Sequence, residues 1–192
     1  MTESAPPSHS AQERAAQLLV TAGALVQLNL EDARQVVRYM RPQRVAAGTA
    51  FIRAGATTDN DYMLLVIDGD VTVESQASPG GEGHVVTVLG PGSLIGEMGL
   101  IDGAPRSATC TASTDLAVGR LSREALTRLI EEKPATAARL LLAISKRLSD
   151  NLREANRKLM TVSQVSRALQ QELDATHAVN RRLLGTPNPK GR

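Results

Sequence analysis

Gly92-Ser93-Leu94-Ile95-Gly96-Glu97-Met98-Gly99-Leu100-Ile101-Asp102-Gly103-Ala104-Pro105-Arg106-Ser107-Ala108-Thr109 is the stretch on which the reading of this chain turns. It sets a carboxylate, Glu97, and a guanidinium, Arg106, in a run rich in glycine, between two segments that read as strands. From about Pro42 to Leu121 the chain consists of short apolar runs, such as Tyr62 to Ile67, Val71 to Val73 and Val85 to Leu89, separated by turn residues. Short strands at this spacing indicate an all-β sandwich or barrel. Asp68-Gly69 reads as the clearest hairpin turn, and Gly80 to Gly83 as a flexible hairpin tip.

Upstream, Met1 to about Ser10 is polar and aperiodic and reads as a disordered leader. Ala11 to Met40 carries helical patterns: Leu18-Leu19, then Leu30, Ala33, Val36 and Val37 at three-to-four spacing, with Asn29 as N-cap of the second helix. Downstream, Ser122 caps a short helix ending near Lys133, and Pro134 suits the first turn of another. No Gly or Pro interrupts residues 134–184, which as one helix span roughly 76 Å at 1.5 Å per residue. That is more than the β domain covers.

A heptad reading accounts for the excess. It places Leu152, Leu159, Ser166, Leu173 and Asn180 at one core position, and Leu141, Leu148, Ala155, Val162, Leu169, Thr176 and Leu183 at the other. Val165 and Val179 widen the stripe, and Ser166 and Asn180 fix register at some cost in stability. The same stripe is open to a second reading, an amphipathic helix folded back on its own domain. The expected domains are therefore a leader over 1–10, a β domain with N-terminal helices over 11–133, a long dimerisation helix over 134–184 and a disordered tail over 185–192.

The composition agrees with an aliphatic β core: 42% of residues are hydrophobic, yet there is one Phe, two Tyr and no Trp. The single cysteine, Cys110, forms no intrachain disulfide, and no stretch reads as a signal peptide or a membrane span, so a reducing cytoplasm is expected. Charge is unevenly spread. Residues 1–133 hold 11 Lys/Arg against 16 Asp/Glu, and residues 134–192 hold 11 against 4, so the head is −5 and the tail +7. A basic helical tail meets nucleic acid or an acidic protein, or is simply a solvated face.

The glycine-rich stretch resembles the phosphate-binding cassette of cyclic nucleotide-binding domains. That cassette reads Gly-Glu, a small or apolar run, then Pro-Arg-Ala/Ser/Thr-Ala-Thr/Ser, and Gly96, Glu97, Leu100, Pro105, Arg106, Ser107, Ala108 and Thr109 match it. Gly48 and Gly69 also stand where the family keeps turn glycines, so the resemblance covers about residues 24–153. It implies a mainly β fold with helices: a cyclic nucleotide-binding β-roll, or jelly roll, flanked by helices and followed by the long coiled-coil helix. Leu121 to Leu152 is similar to the end of the sensor domain and the dimer helix of catabolite activator protein relatives.

The chemistry of these residues agrees with the resemblance. Arg106 offers fixed planar donors to a cyclic phosphodiester, a geometry an ammonium lacks. A helical turn over Glu97 to Leu100, with Met98 and Gly99 in it, aims backbone N–H groups at the same oxygens, and Gly96 and Gly99 let the main chain approach closely. Glu97, an acceptor, suits a ribose 2′-hydroxyl. Ser107 adds a hydroxyl, Ala108 belongs to the matched run, and Thr109 either faces the ligand with Ser107 or packs. The resemblance also places the base-contacting position of the dimer helix at Asn151, which reads equally as a polar coiled-coil edge. The structural alternative for Glu97 and Arg106 is an internal salt bridge.

In the transcription factors of that family a winged helix-turn-helix follows the dimer helix. Here only some thirty residues follow Thr161, with no strand wing, which argues against sequence-specific DNA binding. His9, His84 and His177 are scattered, with His84 read as a surface residue, and no metal-ligand or catalytic spacing is present. The expectation is a bacterial, non-enzymatic sensor without cofactor or metal. It would bind cAMP in preference to other cyclic nucleotides, form a homodimer through the C-terminal helix, and present a protein partner with the distal coiled coil. A ligand-independent coiled-coil scaffold with a vestigial pocket is the first alternative. A cyclic di-GMP receptor, or a non-specific nucleic-acid binder through the basic tail, is the second.

Overall fold

A computed structural model describes residues 9–21, 24–76 and 84–184. Helices α1 (His9–Leu19) and α2 (Leu30–Tyr39) precede eight strands: β1 (Arg41–Val45), β2 (Ala50–Ile52), β3 (Tyr62–Asp68), β4 (Val71–Gln76), β5 (His84–Leu89), β6 (Leu94–Ile95), β7 (Thr109–Ala112) and β8 (Leu116–Ser122). A short helix α3 (Glu97–Asp102) lies between β6 and β7, and α4 (Arg123–Glu132) and α5 (Pro134–Leu184) follow β8. The chain divides into two units, residues 1–147 and 148–192. Helix α1 starts at His9, two residues earlier than its sequence pattern suggests. Residues 1–8 of the expected leader, the Gly80 to Gly83 tip and the tail over 185–192 lie outside the described residues, as does the side chain of His84.

Two four-stranded antiparallel sheets, ordered β1-β8-β3-β6 and β2-β7-β4-β5, form the β-roll. Alternation along β3 turns Tyr62, Leu64 and Val66 into the core between the sheets, where they meet Val45, Ile52, Val71, Ile95, Cys110, Leu116 and Val118. The intervening Met63 and Leu65 are also buried, so β3 is covered on both faces. This explains an unbroken apolar run where a one-sided strand would alternate.

The Asp68-Gly69 reading needs correction. β3 pairs with β8 and β6, whereas β4 pairs with β5 and β7. The dipeptide therefore carries the chain from one sheet to the other and closes no hairpin. Turn chemistry is local and does not say which strand becomes the neighbour. The hairpin of this region is β4–β5, paired in register from Val71↔Leu89 to Gln76↔His84.

The helical caps form as the sequence indicates. Asn29 accepts from the Asp32 N–H at 2.7 Å and Ser122 from the Ala125 N–H at 3.2 Å. Helix α2 is joined to the start of α5 by the buried Asp32, which accepts from Asn29 Nδ2 (2.6 Å), Thr136 Oγ1 (2.7 Å) and Arg139 Nε (2.5 Å) and Nη2 (2.8 Å). The Arg139 hydrogen bonds hold the Asp32 carboxyl below its ordinary value, against a rise caused by burial. Ala137, Leu140, Ala143 and Ile144 bury the first turns of α5 in the first unit. In the second unit Leu152, Leu159, Val162, Val165, Leu169, Leu173 and Val179 of the expected seam are all exposed.

Candidate functional site

Between the sheets and α3 lies a cavity lined by Ile52, Val73, Leu89, Leu94, Ile95, Gly96, Glu97, Arg106, Ser107, Ala108 and Cys110. Its charged groups come from the loop-helix-loop between β6 and β7, and its apolar wall from both sheets. Asn60 shapes that loop, donating from Nδ2 to the Gly103 and Ala104 carbonyls at 2.7 and 2.9 Å. Asp102 accepts from the Ala104 N–H at 2.9 Å. Asn60 lies more than forty residues upstream of the carbonyls it holds, at the foot of β3, and no motif in the sequence marks it.

Arg106 is 7% exposed. Its Nη1 donates to the Gly96 carbonyl at 3.2 Å and its Nη2 to the Tyr62 carbonyl at 3.1 Å, and its guanidinium carbon lies 4.3 Å from the Tyr62 ring centroid. The Nε is buried without a hydrogen-bond partner. No Asp or Glu among the described residues stands in ion-pair contact with Arg106; the alternative of a Glu97–Arg106 salt bridge is not realised. A buried guanidinium without a counter-ion is costly, and a bound anion relieves that cost.

The two glycines of the Gly-Glu-Met-Gly turn serve this guanidinium. A Cβ on Gly96, whose φ is +80°, would lie 2.4 Å from Arg106 Nη1, and one on Gly99 would lie 2.3 Å from the Asn60 carbonyl and 2.9 Å from Nη1. The close approach expected of the main chain toward a ligand is here an approach toward Arg106.

Glu97 opens α3 and pairs with Arg147 of α5, Oε1 to Nε at 3.5 Å, with side-chain exposures of 12% and 21%. Arg147 also donates to the Ala24 carbonyl at 3.4 Å and the Leu94 carbonyl at 3.5 Å. Arg147 was not singled out from the sequence, because fifty residues separate it from Glu97 and it sits among other polar positions of a long helix. The Tyr62 ring also receives Arg120, whose guanidinium carbon lies 3.9 Å from its centroid, and Arg120 pairs with Asp59.

Of the residues expected to bind a ligand, Gly96, Glu97, Arg106, Ser107 and Ala108 line the cavity together. Met98 is 52% exposed on α3 and Gly99 is buried. Thr109 does not line the cavity; its Oγ1 accepts from the Ala54 N–H at 3.1 Å. Strand β7 begins only at Thr109, so the alternation that would align Thr109 with Ser107 does not extend back to Ser107. Asn151 is an exposed residue of α5 in the second unit. The cavity's apolar residues, and Cys110, had no local signal. Burial pushes the Cys110 thiol up to about 11, so it stays protonated at neutral pH.

Comparison with known proteins gives a consistent picture. A family model described as "Cyclic nucleotide-binding domain" matches residues 42–133. The chain is 25% identical over 132 residues to a CRP-like cAMP-activated global transcriptional regulator of Mycobacterium tuberculosis, covering 69% of this chain and 58% of the relative. It is 38% identical over 101 residues to the Cyclic AMP receptor protein of Thermus thermophilus, covering 53% of this chain and 44% of the relative. The chain thus matches little more than half the length of the first relative and less than half of the second. A solved cyclic nucleotide-binding domain from Methylobacillus flagellatus superimposes with a TM-score of 0.65 at 27% identity, over 79% of this chain and 83% of that one.

Proposed function

Because residues 42–133 match the cyclic nucleotide-binding domain family, we propose that the chain is a regulatory sensor whose ligand is a cyclic nucleotide, cAMP in the first instance. The observation that carries this reading is Arg106: a buried guanidinium, with no carboxylate in contact among the described residues, in the wall of a cavity whose other charged group is an acceptor. A cyclic phosphate supplies the missing anion. Glu97 accepts the ribose 2′-hydroxyl, Ser107 donates to the phosphate, and the backbone of Met98 and Gly99 contributes N–H groups from the first turn of α3. Ala108 and the apolar wall enclose the sugar and base. The names of the two relatives above, both tied to cAMP, support the choice of ligand.

The output is α5. Its root carries Arg147, the partner of Glu97, so a ligand that engages Glu97 competes with the ion pair holding that helix. A ligand shifts such an equilibrium only by its differential affinity for the two arrangements. The exposed stripe of Leu152, Leu159, Val162, Leu169 and Leu173 supports pairing with a second copy through a coiled coil, whose far end engages a protein partner. The chain then acts as an adaptor, without catalysis of its own.

The test is thermal unfolding of the protein with cAMP, cGMP, cyclic di-GMP and AMP, beside Arg106→Ala. A ligand at a hundred times its Kd stabilises by about 2.7 kcal/mol, which raises the midpoint by roughly 5 to 10 °C for a chain of this size. A rise with one cyclic nucleotide, absent in the variant, is the expected result. No rise with any of them overturns the reading.

A further inference from the structure

A second cleft, of about 430 Å³, is lined by residues of β1, β8 and α4 and by Tyr39 at the end of α2, among them Arg41, Arg120 and Arg128. None of these residues lines the cavity of Arg106. Arg41 of β1 and Arg120 of β8 are direct cross-strand partners, an arrangement that roots two like-charged side chains side by side on one face and is unfavourable by itself. Arg128 brings a third guanidinium from α4. Arg120 is shared with Asp59, whereas Arg41 and Arg128 have no ion pair or side-chain hydrogen bond among the described residues. Glu124 is the single acidic residue in the lining.

We propose that this cleft is a second anion-binding site, for a small molecule carrying two linked phosphate groups. The volume lies in the range of small-molecule pockets. Two uncommitted guanidinium forks, Arg41 from β1 and Arg128 from α4, stand beside Arg120, whose Nη groups bond the Asp59 carboxylate, and two such forks suit the several oxygens of a diphosphate better than those of a single carboxylate. Gln43 and Ser122 add neutral donors, and Tyr39 gives the cleft an aromatic wall. An anion in this position offsets the positive charge of Arg41 and Arg128.

The probe is inorganic pyrophosphate, titrated calorimetrically into the full chain at low salt and again at physiological salt. The decisive variants are the exposed pair Arg41→Ala/Arg128→Ala. The control is Arg44→Ala/Arg53→Ala, which removes the same charge from exposed positions outside the cleft. The expected result is one equivalent bound by the parent and by the control, weakened about tenfold or more by the cleft pair, and tightened by Glu124→Gln. Equal weakening by both pairs, the signature of net charge alone, overturns the proposal, as does the absence of binding up to about 1 mM. Pyrophosphate held instead beside Arg106 survives in the Arg41→Ala/Arg128→Ala protein. That survival overturns the proposal while leaving the nucleotide reading intact.

Discussion

Glu97 Oε1 stands 3.5 Å from Arg147 Nε, so the carboxylate that lines the cavity of Arg106 is also an attachment point of the root of α5. Both side chains are largely buried, yet the separation is long and neither is fully desolvated, which places their coupling at about 1 kcal/mol, below that of a dry pair. A double-mutant cycle on Glu97→Gln and Arg147→Gln, read from denaturant midpoints, is expected to return a coupling of that size. Strict additivity of the two substitutions would remove Arg147 from the link between cavity and helix.

Arg106→Ala is expected to weaken cyclic nucleotide binding by 3 to 5 kcal/mol, roughly 150-fold to several thousandfold, because the phosphate is buried without its charge partner. Arg106→Lys recovers little of the loss, since an ammonium cannot reach the Gly96 and Tyr62 carbonyls and present a planar face to the ligand together. Calorimetric titration with cAMP checks both, and parental affinity in either variant contradicts the assignment.

Gly99→Ala forces a methyl to 2.3 Å from the Asn60 carbonyl and 2.9 Å from the Arg106 guanidinium. The clash moves backbone, not a flexible tip, so a loss of about 2 kcal/mol or more is expected, together with weaker nucleotide binding. Urea denaturation and the same titration measure the two effects; an unchanged midpoint would show that the turn has room.

Asp32 has a native pKa lowered below its ordinary 3.8, first by the Arg139 hydrogen bonds. A carboxylate shifted down stabilises the fold above its unfolded-state pKa, and that stabilisation is lost as the pH falls through the lowered native value. The unfolding midpoint is therefore expected to drop steeply as the pH goes below about 4. Asp32→Asn is less stable at pH 7 by about 2 kcal/mol and has a flatter acid limb. Parallel acid limbs in parent and variant would assign acid lability to other carboxylates.

Cys110, buried in the cavity wall with its thiol raised to about 11, is expected to react with a thiol reagent at pH 8 only when the domain opens. The labelling rate then follows the unfolding equilibrium and slows further with saturating cAMP. Fast labelling of the native protein, indifferent to nucleotide, would mean that the cavity is open at Cys110.

Much of this molecule is legible in one dimension because its signals are local. The three-to-four spacing of Ala33, Val36 and Val37, the caps Asn29 and Ser122, and the uninterrupted residues from Pro134 to Leu184 each describe a backbone that decides its own conformation within a turn or two. Glu97 and Arg106 are brought to one cavity by a segment in which only eight residues, most of α3 and the turn after it, separate them. The rest depended on closure of the roll. Asp68-Gly69 has the composition of a hairpin, yet β3 and β4 lie in different sheets, because partners are chosen by burial of Tyr62, Leu64 and Val66 between the layers. Likewise Asn60, Arg147 and the apolar wall reach the site from distant segments, and Thr109 turns from the cavity because its strand starts too late. The sequence by itself determined the elements, the class of fold and the placing of Glu97 with Arg106 in one cavity. Only the tertiary structure decided which carbonyls that arginine grips and which cation Glu97 holds, since contacts between segments far apart in the chain are set by packing and carry no local pattern.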